Sequence, residues 1–346
     1  MRGKAIIIVI TGLLGMAAAG LAPQSVDLVY PAYFPPPVYN FENNPLTEGG
    51  INLGRALFYD PLLSRDGTIS CASCHSSYNA FAHTDHDLSH GINDQIGTRN
   101  APALFNLAWQ SSFMWDGAVN HLDMQALAPI SHPAEMDEDL GKVIEKLRSK
   151  PLYRKLSYQA FGDSLMTGEY LLKAFAQFQL TLVSANAKYD AVKRGEVSFS
   201  EQEQSGYELF LQHCNSCHTE PLFSSYEFAD NGLPVDTTLN DFGRRIITQQ
   251  QADSMQFKIP SLRNLSYSYP YMHDGRFQKI GQVLGHYNGG VVHRITLAEE
   301  LGKPMGLTNI DKADLIAFLL TLNDQKFVFH PDHQYPRNIF AESEGF

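Results

Sequence analysis

The chain has four cysteines in 346 residues, and they fall into two close pairs, Cys71 with Cys74 and Cys214 with Cys217. A histidine follows each pair at once, giving Cys71-Ala72-Ser73-Cys74-His75 and Cys214-Asn215-Ser216-Cys217-His218. A disulfide between cysteines three apart would close only a tiny loop, and such bonds are mostly redox-active rather than structural. A zinc site would need further ligands at regular spacing near each pair, and a thioredoxin-like pair would not need a histidine after both. The pattern matches c-type haem attachment: two thiols on one helical turn reach both vinyl groups of a porphyrin, and the adjacent histidine ligates the iron. Using every cysteine this way predicts two covalently bound haem c groups, ligated through His75 and His218.

The start of the chain fits an exported protein. Met1, Arg2 and Lys4 precede an apolar run over residues 5–14 and a small-residue stretch over 16–20. That is the layout of a secretory signal peptide, expected over residues 1–19 with cleavage near Ala19, and it predicts a periplasmic location. The run is short for a membrane span, and the polar residues after Pro23 show no stop-transfer pattern. A net charge of −11 argues against nucleic acid as a partner.

A hydrophobic fraction of 44% is enough for two cores. The surroundings of the two sites repeat weakly. Leu57-Phe58 precedes the first motif as Leu209-Phe210 precedes the second, and Phe178-Gln179-Leu180-Thr181-Leu182 is echoed by Phe318-Leu319-Leu320-Thr321-Leu322. Leu171, Ala174, Phe175, Phe178 and Leu182 have the three-to-four spacing of an amphipathic helix. The expected fold is therefore mainly α, with two tandem cytochrome c-like haem domains and long loops, one domain over residues 20–195 and the other over 196–346. The boundary is expected within 184–200, where Lys188, Asp190, Lys193, Arg194, Gly195 and Glu196 make a polar break. Ser200-Glu201-Gln202-Glu203 then reads as a capping box opening the next helix. Trp109 is expected in the core.

Beyond the haem motifs runs an ordered series: Arg99-Asn100-Ala101-Pro102, Trp115-Asp116-Gly117, Gln125, Pro129, Glu135-Met136, Pro260-Ser261-Leu262-Arg263-Asn264, and Tyr269-Pro270-Tyr271-Met272-His273-Asp274-Gly275. With it the sequence resembles the bacterial di-haem cytochrome c peroxidase family, including its MauG-like branch, over roughly residues 52–323. The resemblance implies that hydrogen peroxide is reduced at the His75 haem while the His218 haem relays electrons from a small cytochrome or copper protein. Glu135 matches the distal acid-base carboxylate, suited to moving a proton from the inner to the outer peroxide oxygen. Gln125 matches a pocket glutamine that orients peroxide, and Trp115 a tryptophan between the haems. His273 matches a position near the second haem, where it either reaches a propionate or water or is simply a satisfied buried histidine. Asn100, with the carbonyls of Ser268 and Pro270, matches the positions that bind one calcium ion. Family members are often dimers, and the resemblance carries the expectation of a homodimer.

Two positions depart from the commoner family pattern. Where many members place a distal histidine over the first haem, this chain has Ile92, so that haem is expected to be five-coordinate or water-bound; His90 lies two residues away, and His83 and His86 are further loop histidines. At the far ligand position of the second haem, where methionine is usual, stands Tyr287, as in the MauG-like branch; Met305, His286 and His293 are rival ligands. The tyrosine raises a second function, the oxidation of tyrosine or tryptophan side chains on a partner protein. A third, a non-enzymatic di-haem electron carrier, would require both irons to be six-coordinate.

Overall fold

The computed structural model describes residues 24–341, so the expected signal peptide lies outside the described residues. The fold is mainly helical, with one sheet of two short antiparallel strands among the described residues, Phe228–Ala229 against Phe257–Lys258. Four helices do most of the packing: Glu48–Tyr59, Gly168–Leu180, Glu201–His213 and Asn309–Leu320. Each begins on a side-chain cap, from Thr47, Thr167, Ser200 and Thr308 respectively, which satisfies an amide left unpaired in the first turn. The Ser200–Glu203 capping box forms as its sequence predicts.

These helices cross in two pairs, and a glycine sets each crossing. A Cβ on Gly54 would lie 1.9 Å from the Ala174 carbonyl oxygen, and one on Gly206 would lie 2.0 Å from that of Asp314. Only glycine lets the backbones approach so closely. Each crossing seeds a core. Leu53, Leu57, Phe58, Leu171, Phe175 and Phe178 belong to the larger one, and Tyr189, Phe210, Phe223, Leu315 and Phe318 to the smaller. Trp109 is buried in the larger core, its indole Nε1 donating to the Pro35 carbonyl at 2.7 Å.

The repeat extends to backbone geometry. Asn106 and Asn264 adopt left-handed φ values of 54° and 63° and donate their amides to Leu182 and Leu322. Bridges close the turns Phe113 to Val119 and Tyr271 to Phe277 alike. Phe113-Met114-Trp115-Asp116-Gly117 thus corresponds to Tyr271-Met272-His273-Asp274-Gly275, which puts Trp115 and His273 at equivalent positions. After Asp324 the chain returns to the larger core, where Phe327, Val328 and Ile339 are buried.

The segment 184–200 is not simply a solvated break. Asp190 is fully buried and forms a bidentate pair with the equally buried Arg263, at 2.9 and 2.7 Å. The Tyr33 hydroxyl and the Ala187 amide also donate to this carboxylate, while the guanidinium lies near the rings of Phe34, Tyr189 and Phe223. Charge patterning suggested a polar surface; the dry partner that buries Asp190 comes from 73 residues away. Removing one member of such a pair leaves an uncompensated charge, so Asp190→Ala should destabilise the holoprotein by about 3–5 kcal/mol. Denaturant unfolding measures this, and an unchanged midpoint would show that the pair is dispensable.

Candidate active site

The first cysteine pair occupies a single helical turn, Cys71–Cys74, with Ser70 and Ser73 in a reciprocal cap. His75 follows it. Its Nδ1 lies 2.8 Å from the Phe81 carbonyl, which can only accept, so the proton is on Nδ1 and the Nε2 lone pair is free for a metal. Burial pushes this imidazole down to about 4, keeping it neutral. Burial also pushes the Cys71 and Cys74 thiols up, to about 12 and about 11. All four cysteines are free of disulfides.

Cys71, Cys74, His75, Gln125 and Glu135 line one pocket, closed by Phe58, Leu104 and Gln179. The structure therefore brings together the residues expected to bind the first haem and those expected to act on peroxide. Glu135 sits on the turn after His132, and desolvation raises its carboxyl above the usual carboxylate range, with His132 pulling the other way. Among the described residues the Gln125 amide donates only to the Met114 sulfur, at 3.8 Å. The Ile92 amide donates to the Glu135 carbonyl at 2.8 Å, which docks the preceding loop on the pocket. Ile92 is fully buried and His90 also lines the pocket, with its Nδ1 3.0 Å from Asp94 and its ring stacked on His86 at 4.2 Å.

The second pair is built alike. His218 Nδ1 donates to the Pro260 carbonyl at 3.0 Å, again freeing Nε2, and burial pushes the imidazole down to about 4. Tyr287 lies in a five-residue π-helical turn, His286–Gly290, a rare geometry often found at functional sites. Burial lifts its phenol to about 12, and the sulfurs of Cys214 and Cys217 are near enough to add to the shift. His286 Nε2 donates to the Asn231 carbonyl at 2.9 Å, Met305 packs on the smaller core and His293 is exposed. Asn231, which sequence reading missed, also hydrogen-bonds the Tyr287 hydroxyl and the Met272 sulfur. An Asp-Asn-Gly turn is its only sequence signal.

Trp115 joins the halves. Its Nε1 donates to the Asn100 carbonyl at 2.9 Å, and its own carbonyl accepts from the Lys258 amide at 2.7 Å. The Asn100 amide in turn reaches the His273 carbonyl at 2.7 Å. The His273 ring stacks on Phe257 at 3.6 Å, beside Arg99, Asp241 and Asp274, and no hydrogen bond joins it to the Cys214–His218 segment among the described residues. Asn100 thus touches the loop that carries Ser268 and Pro270, and its side-chain Nδ2 donates to the Asp87 carbonyl at 3.0 Å. Burial pushes the Lys258 ammonium down to about 7, a second feature near Trp115 that sequence reading missed.

Known proteins share this arrangement. A family model described as di-haem cytochrome c peroxidase matches residues 48–198. The methylamine utilization protein MauG of Methylophilus methylotrophus is 37% identical over 288 residues, covering 81% of this chain and 84% of that protein. The chain belongs to the di-haem cytochrome c peroxidase family. The cytochrome c551 peroxidase of Nitrosomonas europaea is 34% identical, covering 82% of this chain and 81% of that protein. Among solved structures, a MauG-like protein associated with microbial copper homeostasis aligns with a TM-score of 0.80 and 28% identity, over 90% of this chain and 99% of that one. Membership makes the chain an oxidoreductase of the peroxidase class with two haems as its cofactors.

The donors suit those haems. Two neutral imidazoles offer free Nε2 atoms beside paired protonated thiols, and the first pocket holds a buried Gln179 Oε1 with no partner among the described residues. Tyr287→Phe should change the absorption spectrum of the second haem and leave that of the first as it was. An unaltered spectrum would transfer the ligand role to Met305 or a neighbouring histidine.

Proposed function

We propose that this chain is a periplasmic peroxidase that reduces hydrogen peroxide to water at the His75 site, drawing electrons through the His218 site from a small cytochrome or copper protein. The observation that carries the reading is the convergence of Glu135 and Gln125 on the pocket lined by Cys71, Cys74 and His75. In this reading both haems are held by thioethers, to Cys71 and Cys74 and to Cys214 and Cys217. His75 ligates one iron, and His218 with Tyr287 the other. When bound, the haems supply iron that exchanges electrons with peroxide and with the donor.

The protein's own groups handle protons and orientation. Glu135 accepts the proton of the inner peroxide oxygen and returns it to the outer one, so that the leaving group departs as water. Its raised affinity for a proton suits it to both halves of that transfer. Gln125, with only a weak sulfur contact to lose, turns its amide to the bound peroxide. Trp115, pinned at both its indole nitrogen and its carbonyl, offers a fixed aromatic bridge across the seam. Asn100 through its Oδ1, with the carbonyls of Ser268 and Pro270, would hold a calcium ion at that seam while its Nδ2 keeps its bond to the Asp87 carbonyl. The two cores, each with its own cysteine pair, support two tandem haem modules.

Tyr287 favours a second reading, in which protein tyrosine or tryptophan side chains are the electron source. MauG of Methylophilus methylotrophus is 37% identical to this chain, and phenolate ligation stabilises oxidised iron, prolonging storage of an oxidising equivalent. Steady-state peroxide consumption with a panel of reduced cytochromes separates the two. Fast turnover supports the peroxidase; no turnover beside a long-lived doubly oxidised state supports the second reading.

Glu135→Gln should leave haem content intact and slow peroxide cleavage by about 10²–10⁴-fold, read by stopped-flow absorption. Because proton acceptance needs the carboxylate form and burial raises its pKa, the wild-type rate should fall as pH drops through a value above that of an ordinary glutamate. The same acid limb should be missing in Glu135→Gln, and an unchanged profile would remove Glu135 from this role.

A further inference from the structure

The returning C-terminal segment creates a cavity that the peroxide chemistry does not use. It is a hollow of about 740 Å³, open to solvent on one side, within the range of roughly 300–1,000 Å³ typical of small-molecule sites. Ala72 and Ser76, on either side of the Cys74-His75 pair, form part of its wall, so it lies directly against the first haem-attachment turn. Tyr59, Tyr78 and Tyr335 present three aromatic rings to it. Tyr78 and Tyr335 remain 53% and 50% exposed, and Tyr335 also stacks on Phe340 with centroids 5.1 Å apart.

The charges are arranged unevenly. Arg55 is committed: its Nε and Nη2 donate to the Gln334 carbonyl at 2.9 and 2.7 Å, and its Nη1 stands 3.8 Å from Asp332. Arg337, also on the cavity wall, has no ion pair or side-chain hydrogen bond among the described residues. A free guanidinium beside aromatic rings suits a ligand that combines a carboxylate with an aromatic ring, through a forked ion pair and ring stacking.

A line of rings connects this cavity to the first haem pocket. Tyr335 meets Tyr59 edge to face with centroids 5.9 Å apart, and Tyr59 meets Phe58 at 5.5 Å. Phe58 lines the pocket that holds Cys71, Cys74 and His75. The Tyr59 hydroxyl donates to the His333 carbonyl, which cannot take its proton away, so Tyr59 serves as a tunnelling bridge that stays protonated. Electron tunnelling weakens steeply across empty gaps, and a run of ring contacts leaves none.

We propose that this cavity is a reducing-substrate site for a small phenol bearing a carboxylate, which delivers electrons to the first haem through Tyr335, Tyr59 and Phe58. The proposal rests on the peroxidase reading. Two phenols each lose one electron along the rings and one proton to water at the open mouth, becoming phenoxyl radicals. One peroxide takes up two electrons and two protons, its O–O bond breaks, and two waters leave. The protein donor of the main reaction is thereby joined by a small-molecule donor at a separate entrance.

The test uses the two-haem holoprotein, with ferulate as probe. Isothermal titration calorimetry should show ferulate binding to the wild type, weakened by about fivefold or more in Arg337→Ala, as for loss of one charged contact. Tyr335→Ala, at an exposed position, should slow peroxide-driven ferulate oxidation by about tenfold or more through lost positioning and contact, while turnover with a reduced cytochrome is unchanged. Tyr59→Leu should leave ferulate affinity intact yet slow its oxidation, separating the route from the site. Absence of ferulate binding, or binding and oxidation indifferent to all three substitutions, overturns the proposal. Loss of cytochrome turnover in Tyr335→Ala also overturns it, by marking the cavity as a protein-docking surface. Failure of the wild type to consume peroxide with any donor would instead strike the peroxidase reading, and the calorimetry would still decide whether the site exists.

Discussion

A buried cation holds the two halves in register. Arg263 has no exposure to water, so its charge must be met inside the protein, and Asp190 meets it with both carboxylate oxygens. The pair does more than cancel charge. Arg263 belongs to the same short segment as Pro260, whose carbonyl fixes the His218 ring, and as Asn264, whose side chain bonds Ser184 and the Asp324 amide. Fixing one guanidinium therefore orients the His218 imidazole, closes the seam between the cores and sends the chain back toward the first core. The desolvation cost of such a pair is high, and it is tolerated where every donor and acceptor is satisfied.

The two halves share a plan and differ where their chemistry must differ. In each, a histidine after the cysteine pair donates Nδ1 to a backbone carbonyl, a left-handed asparagine ties the following loop, and a glycine allows a close helix crossing. The differences lie on the opposite side of each site. The first has a glutamate, a glutamine and His90 lining its pocket, with the Ile92 amide bonded to the Glu135 carbonyl. The second has a buried phenol on a π-helical turn, held by Asn231. At the repeated turn one half places Trp115 and the other His273, so a single backbone shape serves a bridging indole in one place and a stacked imidazole in the other.

Much of this was legible in the residues. Two thiols and a histidine at fixed spacing are the pattern that c-type haem attachment needs, and no fold is needed to read it. Helix caps are equally local, which is why the Ser200–Glu203 box reads directly from its letters. The resemblance singled out Gln125 and Glu135, and both line the pocket of Cys71, Cys74 and His75. Asn231, Lys258 and the Asp190–Arg263 pair were not legible. Each acts through a partner far along the chain, and nothing next to Asp190 distinguishes it from a solvated aspartate.

By itself the sequence determined the haem class of the cofactor and the mainly helical character, because these follow from residue types at short, fixed separations. Tertiary structure alone decided which loop histidine reaches the first pocket, that Tyr287 is buried near the second cysteine pair, and that the C-terminal segment folds over the first core to form a hollow beside the Cys71–Cys74 turn. Burial, tautomer and ring contact depend on what the rest of the chain places within a few ångströms, and that is a property of packing in three dimensions rather than of neighbours along the chain.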